Sequence, residues 1–245
     1  PHPPRSALLI NERGKFREVT SDLAPQLQRV GLVTSAVWSD VNNDGQAALL
    51  VALEWGPVKC FINHEGKLVD RTREAGLAEE LGWWNSIAPI DLNGDERMDY
   101  IVGNFGLNTK YHASAEHPAL LYYGDLDGSG ELRLVEAEYE HDRLVPIRGR
   151  SCSSHAMPFI GEKFPTYRAF GMAALEEIYT PSCLKEASVL TATRLESGVL
   201  INRSEKGAAR FEFHPLPAIA QAAPIFGIAV SDFNADGKMD AFVAQ

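Results

Sequence analysis

Short apolar runs alternate with polar loops through most of the chain. Two of these runs, TSAVWSD before an acidic loop and AALLVALEW after it, have the length of buried strands rather than of helices. A third, ALLIN, is followed by the turn residues ERG and the alternating segment KFREV, an order that is typical of a β-hairpin. The pattern therefore predicts an all-β protein made of short strands.

The acidic loop and the hairpin both recur along the chain. The loop copies are SDVNNDGQAALLVA from Ser39, IDLNGDERMDYIVG from Ile90, GDLDGSGELRLVEA from Gly124 and SDFNADGKMDAFVA from Ser231. An asparagine in each hairpin precedes the first aspartate of a loop by nearly the same interval: Asn11 lies 29 residues before Asp40, Asn63 lies 28 before Asp91, and Asn202 lies 30 before Asp232. Because the hairpin and the loop recur at a nearly constant interval, they predict a repeating unit of four strands.

A repeat of roughly 40 to 50 residues that holds four strands is typical of a β-propeller, in which each blade packs face to face on the next. The chain begins with a hairpin, Leu8–Thr20, and ends after a strand pair, Phe226–Ala244. These two halves would complete one blade and close a ring; the alternative is that the chain is a piece of a longer propeller. We predict a single β-propeller domain or a propeller fragment over residues 1–245.

One stretch, residues 141–195, departs from the repeat. Within it FPTYRAFGMAALEEIYTP offers Thr166 as an N-cap and Pro181 as a stop, and its apolar residues stand at helical spacing: Phe170, Leu175 and Ile178. We predict a small helical insertion over about residues 156–180. It is expected to cover an edge of the propeller, with a surface for a partner as the alternative.

Alternating oxygen donors make the acidic loops candidate calcium sites. In the last loop the ion would be held by side chains at positions 1, 3, 5 and 9 and by the carbonyl at position 7: Asp232, Asn234, Asp236, Asp240 and Lys238. The second loop offers the equivalent residues Asp91, Asn93, Asp95, Asp99 and Arg97, although Glu96 stands where glycine would permit a tight turn. The first keeps Asp40, Asn42 and Asp44, but Ala48 at position 9 predicts weaker binding or none.

The loop at Asp125 fits calcium least well. It supplies Asp125, Asp127 and Ser129, but Arg133 stands at position 9. With Glu136 it also matches an EF-hand pattern, yet its flanks predict strands and an EF-hand needs helices. For all four loops the alternative is a metal-free turn in which Asp and Asn cap their own backbone. We expect calcium at Asp91 and Asp232, leave both interpretations open at Asp40, and favour the metal-free turn at Asp125.

Charge and composition exclude several classes of function. The formal net charge is −10 and no cluster of Lys and Arg interrupts it, so nucleic acid is not an expected partner. The longest uncharged stretch, Phe213–Ser231, contains three prolines and predicts no membrane span. The first residues lack the order of a signal peptide, although a trimmed start is an alternative. Three scattered cysteines predict neither a zinc site nor a disulfide scaffold, and leave one bridge or none: Cys60, Cys152 and Cys183.

No motif in the sequence predicts catalysis. SCSSHAM, residues 151–157, places cysteine, serine and histidine together but is expected to be a loop without a nucleophile. The histidines lack the spacing of a metal site. A group of aromatic residues is expected to pack in the core, with a sugar-binding face as the alternative: Trp83, Trp84, Tyr111, Tyr122 and Tyr123. We therefore expect a protein that is not an enzyme.

The repeats resemble FG-GAP or VCBS-type repeats, which form the propeller of integrin α-subunits and occur in many secreted bacterial surface proteins. IFGIAVSDFNADGKMDAFVA carries the Phe-Gly pair and the calcium loop of that family, and IDLNGDERMDYIVGN matches it from Asp91 to Gly103. The resemblance implies a calcium-bound propeller in an extracellular or cell-envelope setting. It implies binding of a protein or glycan rather than catalysis; the alternatives are a propeller hydrolase or lyase acting on polysaccharide, and an architectural segment of a larger surface protein.

Overall fold

A computed structural model describes residues 3–205 and 207–245 of the chain. The described residues form mostly antiparallel sheets with a few short helices, which confirms the predicted all-β class. The chain divides into two compact units, the first made of Pro1–Thr109 with Leu195–Gln245 and the second of Lys110–Arg194. The second unit is thus an insertion into the sequence of the first. The single propeller domain over residues 1–245 stays a prediction.

The described part of the chain contains strands and helices with the following bounds. The strands are β1 Leu9–Glu12, β2 Lys15–Glu18, β3 Leu32–Ser39, β4 Ala48–Pro57, β5 Lys59–His64, β6 Lys67–Asp70, β7 Leu81–Trp83, β8 Ser86–Ile90, β9 Asp99–Gly103, β10 Ala119–Gly124, β11 Arg133–Glu140, β12 Arg143–Pro146, β13 Ser188–Ala192, β14 Gly198–Asn202, β15 Phe211–Pro215, β16 Gly227–Ser231 and β17 Asp240–Ala244. The helices are α1 Thr20–Leu23, α2 Arg150–Ala156, α3 Phe159–Lys163, α4 Tyr167–Gly171, α5 Leu175–Ile178 and α6 Pro181–Glu186, with 3-10 turns at Pro25–Leu27 and Ala218–Gln221.

The first unit contains two four-stranded meanders and two separate hairpins. The meanders have the orders β3-β4-β5-β6, with β7 also paired to β4, and β8-β9-β14-β15. Each predicted hairpin is present, and each acidic loop joins two neighbouring antiparallel strands, as predicted. The first hairpin and the last strand pair form separate sheets, β1-β2 and β16-β17. Among the described residues, therefore, the pairing that would complete a blade is not formed.

Successive sheets of the first unit pack through opposite faces. The first strands of three sheets adjoin, because β3 contacts β8 and β8 contacts β16. Since side chains alternate across a strand, neighbouring residues of β9 enter different cores. Tyr100 lies in the cluster shared with β4 and β5, whereas Ile101 lies in the cluster against which Ile228 and Val230 of β16 pack. Apolar side chains on both faces explain the continuous apolar runs of β4 and β9.

The second unit has one sheet, of order β12-β11-β10-β13. Its first three strands form a meander, but β13 adds to the free edge of β10 rather than to β12. The loop at Asp125 therefore lies in a sheet whose strand order differs from that of the two meanders. Helices α3–α6 contribute to one apolar cluster with this sheet, through residues such as Ile160, Phe170 and Ile178, and Met157 joins it directly after α2.

The predicted helix is broken into short pieces. Thr166 caps α4 as expected, because its hydroxyl oxygen accepts a hydrogen bond from the Ala169 amide at 3.1 Å. The prediction that Pro181 ends a helix is wrong, since Pro181 is the first residue of α6. Proline is tolerated there because the amide it lacks would have no partner inside the helix. The prediction of a loop at SCSSHAM is also wrong: α2 spans Arg150–Ala156.

Candidate metal-binding loops

The four acidic loops have one backbone conformation. Counting the first aspartate as position 1, positions 4 and 6 have positive φ in every loop. At position 4 the values are 54° at Asn43, 75° at Gly94, 75° at Gly128 and 59° at Ala235. At position 6 they are 84° at Gly45, 64° at Glu96, 82° at Gly130 and 86° at Gly237. Glu96, the apparent departure in sequence, therefore adopts the left-handed conformation of the glycines it replaces, at a cost of about 1 kcal/mol.

The first aspartate organises each loop through backbone amides. In the last loop, Asp232 Oδ2 accepts from the Gly237 amide at 2.9 Å and Oδ1 accepts from the Asp236 amide at 3.1 Å. Asp40 accepts in the same way from positions 5 and 6. Asp91 and Asp125 accept from positions 4 and 6. These bonds fix the carboxylate inside the turn.

Positions 3 and 5 are bonded to the loop and to each other. Asn234 Oδ1 accepts from the Asp236 amide at 3.0 Å, and Asp236 Oδ1 accepts from the Lys238 amide at 2.9 Å. Asn234 Nδ2 donates to Asp236 Oδ2 at 3.1 Å, and the same pair occurs between Asn42 and Asp44 and between Asn93 and Asp95. The predicted donors of each loop are therefore brought together in one turn.

The residue at position 9 distinguishes two of the loops from the other two. Asp240 Oδ2 accepts from the Phe233 amide at 2.9 Å, and Asp99 Oδ2 accepts from the equivalent Leu92 amide at 3.2 Å. Asp99 is fully buried, and this burial raises its pKa even though it accepts from the Asn202 and Leu92 amides. A cation near a buried carboxyl group whose pKa is raised would stabilise its charged form.

The other two loops lack this carboxylate. Ala48, the first residue of β4, is buried in a core cluster. Arg133 forms an ion pair with Glu131, so its guanidinium group has a partner close to the turn. The expectation that these loops offer fewer oxygen donors agrees with the side chains that the structure places there.

A guanidinium group distinguishes the second loop from the last. Arg97 Nη2 lies 2.7 Å from Asp95 Oδ2, and Arg97 Nε donates to the same oxygen at 3.2 Å. These hydrogen bonds lower the pKa of Asp95, and those from the Arg97 side chain contribute most. In the last loop, Lys238 stands at the equivalent position, and within the described residues no ion pair joins it to Asp236. A cation at Asp95 would compete with Arg97, which the sequence interpretation did not foresee.

The hairpin asparagines bond backbone groups in turns and loops, a structural role that their regular spacing from the acidic loops could have suggested. Asn11 and Asn63 each accept from a turn glycine amide three residues on, at 2.8 and 3.0 Å. Asn202 is 1% exposed, accepts from the Ser204 amide, and donates through Nδ2 to the carbonyls of Val41 and Met98, both at 3.0 Å. Because Val41 lies in the first acidic loop and Met98 in the second, Asn202 connects two loops.

No cluster of three or more His, Cys, Asp or Glu side chains in residues 3–205 and 207–245 is arranged to hold a metal ion. The loops instead show the internal bonding of metal-free turns. Their donor set also includes asparagine oxygens and backbone carbonyls, and hard oxygen donors of this kind suit calcium. Calcium binding therefore stays a prediction.

The other candidate groups are structural. Trp84 is fully buried, and Trp83 stacks on Phe105 with ring centroids 4.4 Å apart. Tyr111 is buried and donates to Glu136 at 2.8 Å. All three cysteines are free, and burial raises the pKa of Cys60 to about 12, which keeps that thiol protonated. Core packing thus accounts for Trp84 and Tyr111, whereas Trp83, Tyr122 and Tyr123 are half-buried.

Comparison with known families gives one match: a model of FG-GAP-like repeats covers residues 40–102. The matched segment runs from Asp40 in the first acidic loop to Val102 in β9, so it contains the first two acidic loops and strands β4–β8. The resemblance to FG-GAP repeats is confirmed over this segment. Comparison with curated proteins found no match. Among the residues described, no helix is both long and apolar enough to cross a membrane.

Proposed function

We propose that this chain is a calcium-stabilised β-propeller module that binds a protein or glycan partner outside the cytoplasm, at the cell envelope or beyond it. The observation that carries the proposal is the shared conformation of the four acidic loops, each with oxygen donors at positions 1, 3 and 5. The FG-GAP match and the packing of successive sheets through β3, β8 and β16 support a propeller arrangement in the first unit.

Calcium would bind most strongly to the last loop. Asp232, Asn234, Asp236 and Asp240 supply side-chain oxygens there, and Lys238 supplies a carbonyl. The second loop offers the same donors with Arg97 competing for Asp95. When bound, the ion would supply positive charge among carboxylates that otherwise repel one another, and so would tie two strands of one sheet together.

The proposed role of the chain is binding rather than catalysis. The loop aspartates Asp232 and Asp91 are bonded to loop amides, and the thiol of Cys60 is buried with a raised pKa. Groups held in this way serve structure better than proton transfer or nucleophilic attack. FG-GAP repeats are typical of extracellular and surface proteins, which supports the proposed location.

Calorimetric titration of the metal-stripped chain with calcium tests the proposal. Asp232→Ala and Asp91→Ala are each expected to remove a binding event, whereas Asp125→Ala should leave the titration nearly unchanged. Each variant is also melted in EDTA, so that the calcium-dependent increment is separated from the loss of the aspartate's own hydrogen bonds. Equal and small effects at all three positions would contradict the assignment. Glycan-array binding in calcium, or its absence, then separates a sugar from a protein partner.

A further inference from the structure

The last strand pair of the first unit leaves one edge and one groove open. Within the described residues β17 pairs only with β16, so its other edge has no strand partner. Between this pair and the neighbouring meander lies a groove of about 730 Å³. Its apolar lining comes from both sheets and includes Ile101, Val199, Ile201, Leu216 and Ala241. The equivalent space between the two meanders is filled by buried side chains of β4, β5, β9 and β14.

The β1-β2 hairpin, in contrast, carries two uncovered apolar side chains on one face. Leu9 is 49% exposed and Phe16 is 71% exposed. Phe16 stands opposite Asn11, so Leu9 and Phe16 share a face of the hairpin. Leu8, on the other face, packs against the cluster of Leu49 and Phe61. The hairpin is thus held to its own chain by one face only.

Both meanders define a register that would join the hairpin to β17. In each of them, the residue after loop position 9 pairs with the residue two before the hairpin asparagine. These pairs are Leu49 with Phe61 and Tyr100 with Leu200. Applied to the open edge, the same register pairs Ala241 with Leu9.

Side chains follow the same correspondence. Leu68 and Phe211 stand opposite Asn63 and Asn202, and both are buried. The residue opposite Asn11 is Phe16, which is exposed. In a completed sheet Phe16 would therefore occupy the place of a buried apolar side chain, above the groove.

One hydrogen bond would also be completed. Asp99 accepts from the Asn202 amide at 2.7 Å with Oδ1 and from a loop amide with Oδ2. Asp240 already makes the second bond, to the Phe233 amide. The amide of Asn11 stands in the equivalent place to that of Asn202 and would supply the first.

We propose that the β1-β2 hairpin of one copy adds to β17 of a second copy, completing a four-stranded sheet and filling the groove with Leu9 and Phe16. A second copy is the fitting occupant because, within the described residues of one chain, β1-β2 and β16-β17 form separate sheets with no pairing between them. The contact joins different surfaces of the two copies, so it is a head-to-tail interface. The inference does not depend on calcium.

Sedimentation analysis of the chain over roughly a hundredfold range of concentration tests this interface. Phe16→Glu blocks the hairpin face, and Ala241→Glu blocks the edge; both residues are exposed in the single chain, so both variants are expected to fold. Leu132→Glu, at an exposed leucine of the second unit, is the matched control. Circular dichroism melting verifies that each variant is folded.

The wild-type chain and Leu132→Glu are expected to self-associate equally, and each blocked variant to associate at least tenfold more weakly. A mixture of Phe16→Glu and Ala241→Glu should form a one-to-one complex, because one copy retains the hairpin and the other retains the edge. A monomeric wild-type chain, association of the blocked variants at wild-type strength, or a mixture that stays monomeric would overturn the proposal.

Discussion

Glu96 shows how a single backbone angle contributes to stability. Its φ of 64° is left-handed, where a side chain is strained and glycine is not. Glu96→Gly is therefore expected to stabilise the metal-free chain by about 0.5 kcal/mol, after the greater freedom of glycine in the unfolded chain is subtracted. Urea unfolding in EDTA measures the change. Glu96→Ala keeps the strain and is the control; an equal gain from alanine would contradict this explanation.

Asn202 is the residue whose loss should cost most among the hairpin asparagines. Its side chain bonds three backbone groups in a buried place, so Asn202→Ala leaves the Val41 carbonyl, the Met98 carbonyl and the Ser204 amide without this partner. Leaving buried polar groups unpaired predicts a loss of about 3 kcal/mol. The equivalent Asn63→Ala removes one exposed bond and should cost less than about 1 kcal/mol. Urea unfolding that gives equal losses would refute this difference.

The oxygen donors of the loops could be predicted from the sequence, but not all of the side chains that surround them. In the sequence, Gly45, Gly130 and Gly237 indicate a backbone with positive φ at their positions. Glu96 and Ala235 do not, because the shared hydrogen-bond pattern of the loop, rather than their own preference, holds them there. The ion pair between Arg97 and Asp95 depends on a rotamer, which spacing in sequence does not specify.

At the scale of the loop, Arg97 and a calcium ion compete for one carboxylate. Arg97→Gln frees Asp95 Oδ2 and is expected to raise the calcium affinity of the second loop by roughly two- to fivefold, as for loss of a partly exposed ion pair. Titration in an Asp232→Ala background isolates this loop.

Lys238→Gln in an Asp91→Ala background is the matched control, because it removes the same charge from the same position of the last loop. Its effect on calcium affinity should be smaller, since within the described residues Lys238 makes no ion pair with Asp236. Equal changes for the two glutamine variants would show that net charge, and not the Arg97 contact, sets the affinity.

Strands were more predictable than helices in this chain. Alternation and turn residues identify the hairpins β1-β2, β5-β6 and β14-β15 because both signals are local. The sequence predicted a small helical insertion over about residues 156–180, whereas the structure has five short helices between Arg150 and Glu186. Prolines such as Pro158 and Pro181 interrupt this segment. A proline at the start of one helix cannot be told in the sequence from a proline that follows the end of another.

At the scale of the whole molecule, the least predictable feature is the insertion of the second unit between β9 and β14. Tyr100 pairs with Leu200 across the whole inserted unit, and no local pattern reports such a distant partner. The phase of Asn202 with Asp232 was the one signal that the interrupted sheet resumes. The loop at Asp125 has the same conformation as the other three loops. The last strand of its sheet, β13, nevertheless pairs with β10 rather than with β12.

Calcium bound in the acidic loops is expected to stabilise the fold. A ligand that binds only the folded chain raises its melting temperature by mass action. The most direct test is a melting curve of the chain in excess EDTA and again in millimolar calcium. The melting temperature is expected to rise by several degrees with calcium, whereas an unchanged melting temperature would refute calcium binding and leave the loops as metal-free turns.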